Sequence, residues 1–179
     1  YCEMGKGWSP DPEDGTGVKY DGYVTDINTD FAIDFLDKRP KEKPFMMMLH
    51  YKAPHDEWEH SEKYSSLFED IDLPEPETLY DDYSTRGYGI YENTQKIGEN
   101  HTFYEEETGH LNGREKKGAQ YQTYIKKYLR CVASIDENIG RVLKYLDENN
   151  LTENTIVIYT SDQGFYLGEH GMYDKRFMY

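Results

Sequence analysis

Tyr121, Ile125, Tyr128, Val132, Ile135, Ile139, Val142 and Leu146 step along the chain by four and three in strict alternation. That spacing draws one apolar stripe down an α-helix, and such a stripe has to be covered by another layer. A coiled coil would supply one. However, Asn149-Asn150 ends the run, and Thr155-Ile156-Val157-Ile158-Tyr159 follows at once. This second run is β-branched and apolar, the composition of a buried strand. A core helix packed on a sheet is therefore expected, with Ser161-Asp162-Gln163-Gly164 directly beyond the strand.

The same order occurs upstream. Residues 1–23 are rich in glycine and proline and read as loop. Thr25 is expected to cap a helix with Asp26 in its first turn, and Ile27, Phe31, Ile33, Phe35 and Leu36 continue it to about Lys38. Arg39-Pro40-Lys41-Glu42-Lys43-Pro44 breaks it, and Phe45 to Leu49 follows as a short apolar strand that ends at His50 to His55. Trp58 to Phe68 is expected to hold a helical turn or two. Residues 84–118 read as a loop-rich excursion, because Phe103, Tyr104 and Leu111 are the large apolar residues between Gly98 and Gly118. Helix–strand, excursion, helix–strand implies an α/β fold, with a largely parallel sheet flanked by helices and one domain spanning 1–179. In such sheets ligands sit beyond the carboxyl ends of the strands, where His50–His55 and Asp162–Lys175 fall.

Charge narrows the function. The chain has 35 acidic and 20 basic residues among 179, a net charge of −15. It would repel nucleic acid and anionic membrane, so an anionic substrate requires a local cluster of cations or a metal. No run is long enough for a membrane span and no secretory h-region is visible. Cys2 and Cys131 make neither a disulfide framework nor a zinc spacing. The chain starts without methionine and stops just after a dense motif, so a piece of a larger protein is expected.

Several residues can carry chemistry. Asp162 and Gln163 pair two oxygen donors suited to a hard cation such as Ca²⁺, which takes six or more; Asp162 serves equally as a turn cap completed by Gly164. His55 can move a proton or bind an anion, or lie in a surface turn with Lys52. Lys175 is a point charge fit for sulfate or phosphate oxygens, with His170 and Arg176 nearby in sequence. Cys131, in mid-helix, reads as a small buried residue.

Together these segments resemble the sulfatases of the alkaline phosphatase superfamily. The resemblance rests on Lys43-Pro44-Phe45, on Tyr51-Lys52-Ala53-Pro54-His55, on Thr160 through Gly171 and on Asp174-Lys175-Arg176. Gly22 to Asp26 and Ser134-Ile135-Asp136 also fit. It covers about residues 5–80 and 119–179, and is closest to arylsulfatase-like and N-acetylglucosamine-6-sulfatase-like enzymes.

The resemblance implies an alkaline phosphatase-like fold, of which this chain is part. It makes Asp162 and Gln163 ligands of a Ca²⁺ whose other ligands lie in a missing N-terminal part. Gln163 stands where Asn or His is more usual. It also implies that His55 contacts the leaving-group oxygen and Lys175 the sulfate oxygens, with Lys52, His170 and Arg176 binding substrate. The nucleophile it implies is a formylglycine from a Cys/Ser-x-Pro/Ala-x-Arg motif, whose hydrate attacks sulfur. That motif is absent: after Cys131-Val132-Ala133-Ser134, Ile135 occupies the arginine position. Two metal-binding aspartates are absent too, and Gly5-Lys6-Gly7-Trp8-Ser9-Pro10 is similar to a later loop, with Ser9 in place of Asn. The chain alone is thus expected to be inactive. The implied substrate is a sulfated carbohydrate or aryl sulfate ester, the implied location periplasmic or secreted. A phosphonate monoester or phosphodiester hydrolase, and a non-catalytic degenerate homologue, are the alternatives.

Overall fold

The computed structural model describes residues 20–99 and 104–176. The motif Gly5 to Pro10, and Phe103 in the excursion, lie outside them. The chain divides into two compact units, Tyr1–Ser65 with Arg130–Val157, and Ser66–Leu129 with Ile158–Tyr179.

In the first unit, α1 (Val24–Lys38) and the second half of α4 (Gly113–Glu148) are joined by polar side chains. Asn138 Nδ2 donates to Asp26 Oδ1 at 2.6 Å, Arg141 pairs with Asp30, and the Tyr145 hydroxyl donates to Asp37 Oδ1 at 2.7 Å. Partners therefore recur at roughly one-turn intervals on both helices, as side chains on one helical face must. Helix α1 begins two residues earlier than its sequence suggests. Tyr23 is the N-cap, and Thr25, expected as the cap, is buried in the first turn. Its buried face is Thr25, Thr29, Ala32 and Leu36, while Phe31 and Phe35 are exposed. The last turn is closed by the Lys41 ammonium on the Leu36 carbonyl at 2.9 Å, a cation where the helix dipole is negative.

The second unit holds α2 (Tyr88–Tyr91), α3 (Glu105–Thr108) and the first half of α4. It also holds a hairpin of β1 (Tyr166–Leu167) and β2 (Tyr173–Asp174). These strands pair antiparallel, Tyr166 opposite Asp174 and Leu167 opposite Tyr173. Residues 95–97 add a third edge: the Ile97 amide donates to the Gly171 carbonyl at 2.8 Å and the Tyr173 amide to the Gln95 carbonyl at 3.1 Å. Tyr83, Ile90 and Met172 form the core beneath, with Tyr166 packed on it. Ile90, Asn93, Gln95, Lys96 and Ile97, all from the stretch read as an excursion, are buried there. Gly168 has φ +104°, and a Cβ on it would lie 2.6 Å from the Tyr121 ring, so the hairpin loop requires glycine at that point.

The largely parallel sheet expected from the sequence is not formed among the described residues, whose one sheet is the β1–β2 hairpin. Residues 45–49 and 155–159 have no ladder partner among them. Residues 156–159 are exposed, Ile156 by 90 %, and in 45–49 Met46 and Met48 are exposed while Phe45, Met47 and Leu49 are half-buried. Strands of this composition become buried only when neighbouring strands and a covering layer are present. No described helix is long and apolar enough to cross a membrane.

Asn138 is fully buried and uses all its polar capacity: Nδ2 also donates to the Ser134 carbonyl at 2.8 Å and Oδ1 accepts from Arg141 at 2.9 Å. Asn138→Leu is expected to destabilise the protein by about 2–4 kcal/mol, since it orphans charged partners. Lys144→Ala, which removes an exposed pair with Glu148, is expected to cost under about 0.5 kcal/mol. Urea unfolding checks both, and equal effects would contradict the assigned network.

Candidate functional site

The site residues fall in both units, and each group has its own geometry. In the first unit, the turn after residue 51 brings Lys52 and His55 onto Asp56. The His55 amide donates to the Lys52 carbonyl at 3.0 Å, closing the turn. Lys52 Nζ donates to the Asp56 carbonyl at 3.1 Å, and His55 Nδ1 lies 3.1 Å from that same oxygen. The His55 ring also pairs with the Asp56 carboxylate. Both side chains remain open to solvent.

In the second unit, Asp162 and Gln163 sit on an exposed bend. The Ser161 hydroxyl donates to the Gln163 carbonyl at 2.7 Å, and Gln163 Nε2 donates to Asp162 Oδ2 at 3.4 Å. The two side chains thus face one another, a carboxylate and an amide. Both offer hard oxygen donors, which suits a cation that prefers oxygen, but two are far fewer than the six to eight Ca²⁺ takes. Among the described residues no group of three or more His, Cys, Asp or Glu converges as a metal cage. The donor set fits a shared Ca²⁺ site and is not a complete one.

Lys175 and Arg176 follow β2. Lys175 Nζ stands 5.4 Å from the centroid of the Phe165 ring, and Arg176 Nε donates to Asp174 Oδ2 at 3.1 Å. Burial works to raise the Asp174 carboxyl, but Arg176 and the Lys175 amide outweigh it and hold it below the ordinary range. Arg176 is therefore already engaged by a buried carboxylate within its own strand end.

His170 is buried, unlike the exposed Asp162, Gln163 and Arg176. Its backbone is left-handed, φ +54°, an uncommon conformation for a residue with a Cβ. Three side chains from 78–83 hold it. Its amide donates to the Thr78 hydroxyl at 2.9 Å, its carbonyl accepts from the Tyr83 hydroxyl at 2.5 Å, and its Nδ1 meets Asp81 Oδ2 at 2.7 Å. The His170 bond, together with the Tyr83 amide, keeps the Asp81 carboxyl below its usual range. Burial pushes the Tyr83 phenol up to about 12, so it remains a donor across the physiological range. Sequence reading missed Thr78, Asp81 and Tyr83. The one signal is the acidic pair Asp81-Asp82 between two tyrosines in an otherwise featureless stretch.

Comparison with known proteins follows this geometry. A family model described as Sulfatase matches residues 4–178. The chain is similar to the N-acetylglucosamine-6-O-sulfatase of Bacteroides thetaiotaomicron, at 38 % identity over 99 % of this chain and 40 % of the relative. It is 30 % identical to an arylsulfatase of Clostridium perfringens, over 83 % of this chain and 28 % of that protein. A solved structure, of a protein in complex with its substrate D-glucosamine-2-N,6-O-disulfate, matches with a TM-score of 0.85 and 37 % identity. That match covers 93 % of this chain and 42 % of the solved one. The chain thus spans about two fifths of the curated relative's length.

Cys131 stands apart from the site. It is fully buried in the first unit, its Sγ donating to the Glu59 carbonyl at 3.2 Å. Burial, with a smaller effect of Glu59, pushes its thiol up to about 12. A thiol raised on folding contributes stability below its unfolded value and loses it as pH rises through the folded one. Native protein is therefore expected to resist iodoacetamide at Cys131 up to about pH 9, and to react once unfolded in urea. Mass spectrometry of the Cys131 peptide reads this, and rapid native alkylation at pH 8 would overturn the burial.

Proposed function

This chain belongs to the sulfatase family, and from that premise we propose that it forms part of the catalytic domain of a sulfuric ester hydrolase acting on a sulfated carbohydrate. The favoured substrate is a 6-O-sulfated glucosamine, whether N-acetylated or N-sulfated. The observation that carries the reading is the 38 % identity to an N-acetylglucosamine-6-O-sulfatase across 99 % of this chain. The structural neighbour with a disulfated glucosamine as substrate supports it. Residues 45–49 and 155–159 are then interior strands of a largely parallel sheet completed by sequence beyond these residues. Their apolar composition and the exposure of Met46, Met48 and residues 156–159 support that reading.

Cleavage of a sulfate ester develops charge on the sulfate oxygens and on the leaving oxygen. His55, exposed and held by Asp56, is the acid that protonates the leaving oxygen. Lys175 places an ammonium against the sulfate oxygens, and Phe165 beneath it limits where that ammonium can lie. The resemblance further assigns substrate binding to Lys52 in the first unit and to His170 and Arg176 in the second. Asp162 and Gln163 would hold the Ca²⁺, which when bound supplies positive charge to the sulfate. The formylglycine that the resemblance implies has no matching motif in these 179 residues and is assigned to sequence beyond them. Periplasmic or secreted placement goes with the same reading.

The test uses the full-length protein that carries this chain. Glucosamine-6-O-sulfate is expected to be hydrolysed in preference to an aryl phosphonate. Asp162→Ala is expected to lower bound calcium measured by elemental analysis. His55→Ala is expected to lower kcat by about 10²–10⁴-fold with the metal retained. Faster turnover of the phosphonate would shift the assignment to phosphoryl hydrolysis. Turnover of neither ester would identify a non-catalytic homologue.

A further inference from the structure

The second unit carries an open, solvent-facing cleft of about 290 Å³ lined by Tyr80, Asp81, Gly98, Glu99, Arg114 and Lys117. That size is near the lower end for ligand pockets, roughly 300–1,000 Å³, and suits a small group rather than a whole sugar chain. Its charge is unusual for a chain with a net charge of −15. Lys96 and Lys117 are both buried, 4 % and 7 % exposed, and lysine is seldom buried without a full counter-charge. They share one carboxylate: Glu99 Oε1 lies 3.3 Å from Lys117 Nζ, and Oε2 lies 3.8 Å from Lys96 Nζ. Arg114 adds a third cation at the mouth. It stacks 3.5 Å from the centroid of the Tyr80 ring and pairs with no carboxylate among the described residues. Asp81, the other acid on the wall, is already committed to His170 and, at 3.5 Å, to Arg86. The lining thus holds two cations, Arg114 and Lys117, and two carboxylates, of which Asp81 is engaged elsewhere and Glu99 is shared with Lys96.

The backbone is shaped around Lys117. A Cβ on Gly98 would lie 3.0 Å from Lys117 Cα, and one on Gly171 would lie 2.5 Å from Lys117 Nζ. Both glycines have positive φ, +83° and +67°, so Lys117 is seated with its backbone against one turn and its ammonium against another, and other residues would not adopt either turn without strain. Gly171 directly follows His170, which ties the cleft to the loop that carries that histidine.

We propose that this cleft is an oxyanion site, which binds a second anionic group of the saccharide substrate, a sulfate or carboxylate other than the ester that is cleaved. Arg114 and Lys117 supply the charge-assisted hydrogen bonds, and Tyr80 holds the guanidinium in place. Glu99 sets the affinity by competing for Lys117. The identity of the occupant rests on the sulfated-carbohydrate reading above; the oxyanion chemistry does not.

The experiment compares glucosamine-6-O-sulfate with N-sulfoglucosamine-6-O-sulfate on the full-length enzyme. It adds calorimetric titration with inorganic sulfate, to count the equivalents bound. Lys117 is buried and its loss threatens folding, so Arg114→Ala and Glu99→Gln carry the test. Arg114→Ala is expected to raise KM for the disulfated sugar about tenfold, with kcat and the KM of the monosulfated sugar unchanged. Glu99→Gln, which frees Lys117, is expected to lower the KM of the disulfated sugar, an effect no merely structural residue would give. Suppose the two sugars respond alike, yet a second sulfate equivalent is lost in Arg114→Ala and tightened in Glu99→Gln. The oxyanion site then stands, with a free anion as its occupant. No substrate selectivity and no second equivalent would overturn it. Absence of sulfatase turnover with the second equivalent intact would instead remove the proposed function and leave this site standing.

Discussion

A buried amide or carbonyl without a partner costs about 1–3 kcal/mol, and in this chain side chains, more than neighbouring strands, meet that demand. Gln122 bonds both the amide and the carbonyl of Leu73, at 2.9 and 2.8 Å, in the manner of an opposing strand. The Tyr121 hydroxyl takes the Pro74 carbonyl, and the Tyr124 hydroxyl the Tyr166 carbonyl, at 2.8 and 2.6 Å. Each bond fixes a loop to a helix that is itself rigid. The apolar stripe of α4 thus has a second use, because its tyrosines carry a polar tip beyond the buried ring. Burial supplies the driving force, and the hydroxyls choose which loop conformation is kept.

The consequence for the site is that rigidity is unevenly distributed. His170 is held through its amide, its carbonyl and its ring, by three residues of one short segment. Asp174 is buried and locked by its neighbours Lys175 and Arg176. Asp162 and Gln163, by contrast, are held among the described residues by the bend they form with Ser161. A cation site assembled from separated segments suits such a division. The anchored loop sets where the cationic side chains stand, and the open donors are free to close on an ion.

The sequence made the helices legible and the loop chemistry much less so. An eight-residue stripe with unbroken three–four spacing has one physical reading, and α4 follows it. For α1 the period is right but the face is not: Thr25, Thr29, Ala32 and Leu36 are buried, and the phenylalanines that dominate the pattern are not. Hydrophobicity alone could not choose, because a threonine whose hydroxyl bonds locally is as easily buried as a phenylalanine. The Thr29 hydroxyl, for one, lies 2.9 Å from the Thr25 carbonyl and 2.8 Å from the Tyr51 hydroxyl. Residues 45–49 and 155–159 show the converse limit. Composition marks them as strand, but a strand exists only with a partner, and partners are not a local property. The glycine- and charge-rich segments after these runs stand out in the sequence itself. Asp81 does not, since its role depends on a histidine 89 positions away.

Charge distribution links these points. A chain with a net charge of −15 can attract an anionic saccharide only where its own carboxylates are spent on something else. In the second unit that is what the bonds accomplish. Asp81 is taken by His170, Asp174 by Arg176, and Glu99 by two buried lysines. Glu105 is taken by Lys116 at 2.6 Å. Each pairing removes a negative charge from the local field without removing it from the total. Lys175 and Arg114 rest on the aromatic faces of Phe165 and Tyr80, and neither forms an ion pair with a carboxylate among the described residues. An aromatic face stabilises a cation without neutralising it. It is therefore a suitable seat for a side chain that has to remain available to an anion.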